Sequence, residues 1–103
     1  MAKLPDECAT MIEVREGVDA VDRELVALLE RRFGYMRAAA RIKPNRDQVR
    51  DEERKASVIA AATAQAQACG IPGDVVAELW ERLVEGSIAY EMDHWNKIRS
   101  TTT

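Results

Sequence analysis

The sequence predicts an all-α fold of three helices per chain, long, medium and long, completed by a second copy. Three observations predict it. Apolar residues recur at helical spacing, and no segment of useful length has the two-residue period of a strand. Pro44, Gly70 and Pro72 divide the chain into three such runs. The chain of 103 residues holds only two Trp, two Tyr and one Phe, a small stock of large side chains for a closed core.

The first helix is expected from Thr10 to Ile42. Its stripe reads Met11, Val14, Val18, Val21, Leu25, Leu28 and Leu29, then Met36, Ala39 and Ala40. Gly17 and Gly34 weaken it by about 1 kcal/mol each relative to alanine without breaking it. Pro44 disfavours helical geometry at Lys43 and ends the run. Such a helix is about 45–50 Å long, more than one small domain covers. Residues 44–49 are polar and read as a loop. The second helix starts between Val49 and Asp51, carries Val58, Ile59, Ala62 and Ala66 on one face, and ends at Cys69 with Gly70 as its C-cap glycine. The third spans Pro72 to Arg99. Its stripe is Val76, Leu79, Trp80, Leu83, Val84, Ser87, Ile88, Glu91 and Trp95, with Ser87 and Glu91 as polar insertions on one face. The tail from Ser100 to Thr103 is expected to fray.

Bulk properties narrow the function. A net charge of -3 gives no support to nucleic-acid binding. There is no apolar run near the length of a membrane span and no secretory leader pattern, so a cytoplasmic protein is the expectation. Cys8 and Cys69 lack paired spacing and are expected as reduced thiols. No nucleophilic triad, phosphate loop or metal-ligand cluster is present in the sequence, and His94, the lone histidine, makes no metal site by itself.

The informative feature is a set of cations at apolar positions. Arg32 falls four after Leu28 and seven after Leu25. Arg15 follows Met11 by four, and Lys43 follows Met36 by seven. A buried cation without a partner is costly and signals an anion. Arg32 and Lys43 are eleven residues apart, about 20° of rotation and about 17 Å of rise, so they share a face. Arg15 lies seventeen residues before Arg32, about 26 Å away and about 100° around the helix. One straight helix cannot bring both to one small molecule, so Arg15 reaches such a site only from a partner chain. With Arg54 at the edge of the second helix's apolar face, the set suits a ligand with two carboxylates, the anion that guanidinium binds in a bidentate way. Taken singly, each residue has a plainer reading. Arg15 pairs with Asp19, Lys43 and Asp51 complement helix dipoles, Ser87 packs, and Glu91 pairs with a lysine across the bundle.

Together these residues resemble the all-helical (AroQ-type) chorismate mutases, along nearly the whole chain. The matching positions are Val14-Arg15-Glu16, Val18, Asp22, Leu25, Leu28, Leu29, Arg32, Lys43, Val49-Arg50-Asp51, Arg54, Ser87-Ile88 and Glu91. The resemblance implies an intertwined helical homodimer with two sites, each completed by Arg15 of the other chain. It implies that Arg15, Arg32 and Arg54 bind the substrate's carboxylates, and that Lys43 binds near the ether oxygen. Asp51 would position the substrate hydroxyl or order the loop, and Ser87 would make a supporting polar contact. Arg32, Lys43 and Glu91 are then the catalytic candidates. The reaction implied is the Claisen rearrangement of chorismate to prephenate, part of aromatic amino-acid biosynthesis, with no cofactor. Glu91 stands where the well-known bacterial enzymes carry glutamine and fungal members carry glutamate. A carboxylate cannot donate a hydrogen bond, so Glu91 is expected to work protonated, with activity falling as pH rises. Lys55 stands where some relatives have a glutamate, and is expected to be solvated.

Two other readings stay open. The isochorismate-pyruvate lyase branch shares the cation set, and Pro5-Asp6-Glu7-Cys8, Ala89-Tyr90 and Trp95 resemble it as well; that branch would carry Gln at position 91. A related aminochorismate mutase is a further variant. Outside enzymes, the chain could be a non-catalytic helical dimer that binds a small dicarboxylate.

Overall fold

The computed structural model describes residues 2–100; of the tail expected to fray, Ser100 is instead the last residue of the third helix, and 101–103 lie outside the described residues. The three helices are α1 (Met11–Ile42), α2 (Glu52–Ala68) and α3 (Gly73–Ser100). Their order and bounds follow the sequence expectation to within about two residues at each end. Two short 3-10 turns, Pro5–Glu7 and Arg46–Gln48, were not expected. The chain forms two compact units, one ending at Gly34 and the other beginning at Tyr35, with α1 contributing to both.

In the first unit, Thr10 and Glu13 start α1 as a reciprocal cap. The Glu13 backbone N–H donates to Thr10 Oγ1 at 3.2 Å, and the Thr10 N–H donates to Glu13 Oε1 at 3.0 Å. Lys3 also pairs with Glu13, and this contact, ahead of the backbone donors, holds the Glu13 carboxyl below its ordinary range. The N-terminal strap therefore lies along α1. A Cβ on Gly17 would sit 3.8 Å from the Lys3 carbonyl oxygen, which is ordinary contact. The apolar stripe expected to face a core is bare instead. Met11, Val14, Val18, Val21, Leu25 and Leu28 are all exposed, and none of residues 2–34 is buried.

In the second unit, α2 packs antiparallel to α3 around Ala66 and Val84, with Ala40 at the end of α1 and Val49 in the loop also buried. Gly70 ends α2 in the left-handed region, at φ +77°. The N–H groups of Gly70 and Ile71 reach back to the carbonyls of Gln67 and Ala66 at 3.2 and 3.0 Å, which closes the helix. Gly73 opens α3 where a Cβ would come within 3.2 Å of Gln67, so the small residue fits this tight connection. Along the expected α3 stripe, Leu79 is exposed rather than covered.

Candidate active site

Lys43 follows α1 directly, and Pro44 after it prevents the helix from continuing. Ser87 and Glu91 lie one turn apart on α3, and both are buried, Glu91 to 4% exposure. Lys43 Nζ donates to Glu91 Oε2 at 2.7 Å. The pair spans 48 residues of sequence and joins the end of α1 to α3. The plainer sequence reading of Glu91, a partner for a lysine across the bundle, is thus met by Lys43 itself. The Ser87 hydroxyl donates to the Leu83 carbonyl at 2.7 Å, a back-bond within the helix. Of the expected residues, Lys43 and Glu91 are thus brought into contact, and Ser87 lies one turn before Glu91 on α3.

The loop between α1 and α2 is tied down by charge. Val49 is buried, and Arg50 makes a two-pronged contact with Glu85, at 2.8 and 3.1 Å. Lys55 donates to the same Glu85 at 2.8 Å and to Glu81 at 2.9 Å. Glu85 is thus held between two cations, which lower its carboxyl to about 2, Arg50 contributing most and Lys55 next. Glu81 and Glu85 in turn raise Lys55, and Glu85 with Glu52 raises Arg50. This corrects the expectation that Lys55 is solvated: its side chain is only 17% exposed because two glutamates of α3 hold it.

Asp51 is the N-cap of α2, its Oδ1 accepting from the Arg54 backbone N–H at 3.0 Å. An open cleft of about 630 Å³ lies beside it, lined by Lys43, Gln48, Arg50, Asp51, Glu52 and Glu53. Lys43 and Asp51 of the expected set line this cleft; Arg54, Ser87 and Glu91 do not. The Arg54 side chain is exposed and, among the described residues, makes no ion pair.

Arg15 and Arg32 belong to the first unit. Continuous helix separates them by seventeen residues, about 26 Å. Arg15 is exposed on the bare length of α1, and the pairing with Asp19 does not form. Arg32 is half-buried.

Sequence reasoning missed Glu85 and the roles of Trp95 and Arg99. Their partners lie 30 to 59 residues away, and no local pattern announces such contacts.

The arrangement supplies fixed cations and hydrogen-bonding groups, with no activated nucleophile among the described residues. It is suited to holding a small anion and stabilising charge that develops on it.

Comparison with known proteins identifies the family. The family model for chorismate mutase type II matches residues 14–92. The chain is 28% identical over 97 residues to an isochorismate pyruvate lyase of Pseudomonas aeruginosa, covering 94% of this chain and 96% of that protein. It is also 28% identical over 86 residues to a T-protein of Enterobacter agglomerans, covering 82% of this chain but only 23% of that longer protein. The chain belongs to the chorismate mutase type II family.

Proposed function

We propose that this member of the chorismate mutase type II family is a homodimeric chorismate mutase that converts chorismate to prephenate. The observation that carries the reading is the Lys43–Glu91 pair at 2.7 Å, in which the lysine that the family resemblance assigns to the ether oxygen is held by a buried glutamate. An ammonium has three N–H donors. Glu91 accepts one, in place of the protonated, donating role expected from the sequence, and the others remain for the ether oxygen as its C–O bond breaks and the new C–C bond forms. The rearrangement is unimolecular and loses no atom, so the enzyme's work is to select the reactive conformer and stabilise developing negative charge.

In this reading Arg32 and Arg54 take the two carboxylates, and Ser87 adds a polar contact. Asp51 orders the loop beside the cleft as the cap of α2. Arg15 is contributed across chains. The exposed stripe from Met11 to Leu28 supports that assignment, because a second α1 laid on it would cover the apolar face.

A second reading is supported by one specific observation. Similarity to the Pseudomonas aeruginosa isochorismate pyruvate lyase runs along nearly the full length of both chains. That reaction also breaks a C–O bond of a small dicarboxylate, and the same cations serve it. Glu91 favours the mutase.

The deciding experiment offers purified protein chorismate and isochorismate in parallel. Prephenate from the first supports the mutase. Salicylate with pyruvate from the second supports the lyase. Tight binding of either compound without turnover would refute both and leave a dicarboxylate-binding dimer.

A further inference from the structure

Lys43 is gripped by α3 at both ends. Its Nζ donates to Glu91 Oε2 at 2.7 Å. Its backbone carbonyl accepts from Trp95 Nε1 at 3.0 Å and from Arg99 Nη2 at 2.8 Å. Arg99 Nη1 also reaches the Ala40 carbonyl at 3.0 Å, and its guanidinium lies 4.0 Å from the centre of the Trp95 ring. Glu91, Trp95 and Arg99 recur every four residues, so they form one ridge of α3.

The local sequence explains why this grip is needed. The last carbonyls of a helix lack intrahelical partners. Helices commonly close them with N–H groups from the residues that follow. Here the next residue is Pro44, which has no N–H to give. The Ala39 carbonyl takes the Lys43 N–H, and the carbonyls of Ala40 and Lys43 are served from α3 instead. A cap supplied from another helix does more than satisfy two oxygens. It fixes the backbone from which the Lys43 side chain departs, relative to the helix that carries Glu91.

We propose that Trp95 and Arg99 are positioning residues for the Lys43 ammonium. The proposal rests on the reading above, in which Lys43 contacts the substrate. Glu91 sets where the charge ends, and Trp95 with Arg99 sets where the side chain begins. Neither Trp95 nor Arg99 needs to touch the substrate for its loss to move the ammonium.

The test uses the full chain with 15N-labelled lysine, the Lys43 ammonium resonance being assigned by its loss in Lys43→Arg. Trp95→Phe keeps an aromatic ring and deletes the N–H donor; Arg99→Ala removes the guanidinium; Arg99→Lys restores a charge and a donor. In Trp95→Phe and Arg99→Ala the Lys43 resonance is expected to shift and broaden. Turnover should fall about tenfold in kcat with KM changed less than twofold, as expected for misplacement of a group acting on the reacting bond. Arg99→Lys should recover most of the rate. An unmoved Lys43 resonance overturns the proposal, as does a rate loss that only tracks the folded fraction. If Arg99→Ala does not fold, Trp95→Phe retains both readouts. Should the wild type turn over neither chorismate nor isochorismate, the functional reading fails, and the resonance alone decides whether the grip positions Lys43.

Discussion

Breaking the Lys43–Glu91 pair from its two sides should have unequal effects. Lys43→Met removes the cation and leaves the Glu91 carboxylate at 4% exposure without its charge partner. Stranding one member of a fully buried pair costs about 3–5 kcal/mol. The Lys43 side chain is 30% exposed, so water enters the space it leaves, and about 2–3 kcal/mol is the expected loss. Glu91→Gln strands nothing comparable, because the lysine keeps access to solvent and the amide still accepts. About 1 kcal/mol or less is expected there. In the double variant no charge is left buried, so its stability should lie within about 1 kcal/mol of wild type, a coupling of about 2 kcal/mol. Urea unfolding at one fixed protein concentration measures all four proteins; the concentration matters because a dimer's stability depends on it. At about 4–8 °C per kcal/mol for a domain near this size, Lys43→Met should melt about 10–20 °C lower. Equal losses from the two single variants, or strict additivity in the double, would refute a buried carboxylate that depends on Lys43.

Three further outcomes are expected. The Glu85 carboxyl is lowered from 4.5 to about 2 by Arg50 and then Lys55, so its contribution to stability is present above pH 4.5 and lost as pH falls through 2. Glu85→Gln should lower the melting temperature at neutral pH and flatten its fall across that acid window; an unchanged slope in melting scans against pH counts against the network. Leu25→Asp places a charge on the bare face of α1 and should convert the proposed dimer to monomer with loss of helicity, read by sedimentation and far-ultraviolet circular dichroism. A variant that sediments like wild type removes that face from the interface. Finally, Arg15→Ala and Lys43→Ala should each be nearly inactive, yet unfolding and refolding them together in equal amounts should restore about a quarter of wild-type activity. Half the refolded dimers are then mixed, and one of the two sites in each has both cations; no recovery would mean that Arg15 serves its own chain.

How much was legible in the sequence follows from the range of each interaction. Helix periodicity, Pro44 and Gly70 act over a few residues, and the three helices appear with the expected bounds. The inward placement of Ser87 and Glu91 was also legible, since both interrupt an apolar stripe at helical spacing and both are buried. Their neighbours were less so. Lys55 lies in a charge-rich run that resembles a solvated helix start, and only the fold brings Glu81 and Glu85 of α3 to it. Trp95 read as a packing residue because nothing near it in sequence marks the Lys43 carbonyl 52 residues earlier as its acceptor. The turn at Pro5–Glu7 and the Lys3–Glu13 contact escaped for a different reason: the strap has no periodicity and is held by one ion pair and a cap.

The two units differ in what a single chain supplies. From Tyr35 onward the chain has buried residues on every helix, and the Lys43–Glu91 pair lies wholly within that part. Residues 2–34 have none, although α1 carries a long aliphatic stripe there. Helices in folded proteins draw most of their stability from packing rather than propensity, so such a face calls for cover. If a second copy provides it, the cover also carries Arg15, exposed on the same stretch of α1, to another chain. The site would then divide along the same line as the fold. Lys43, the cation proposed for the reacting oxygen, would be set within one chain, and Arg15, proposed for a carboxylate, would arrive only with assembly. In that arrangement dimerisation and completion of the binding site are a single event, because one helix face serves both.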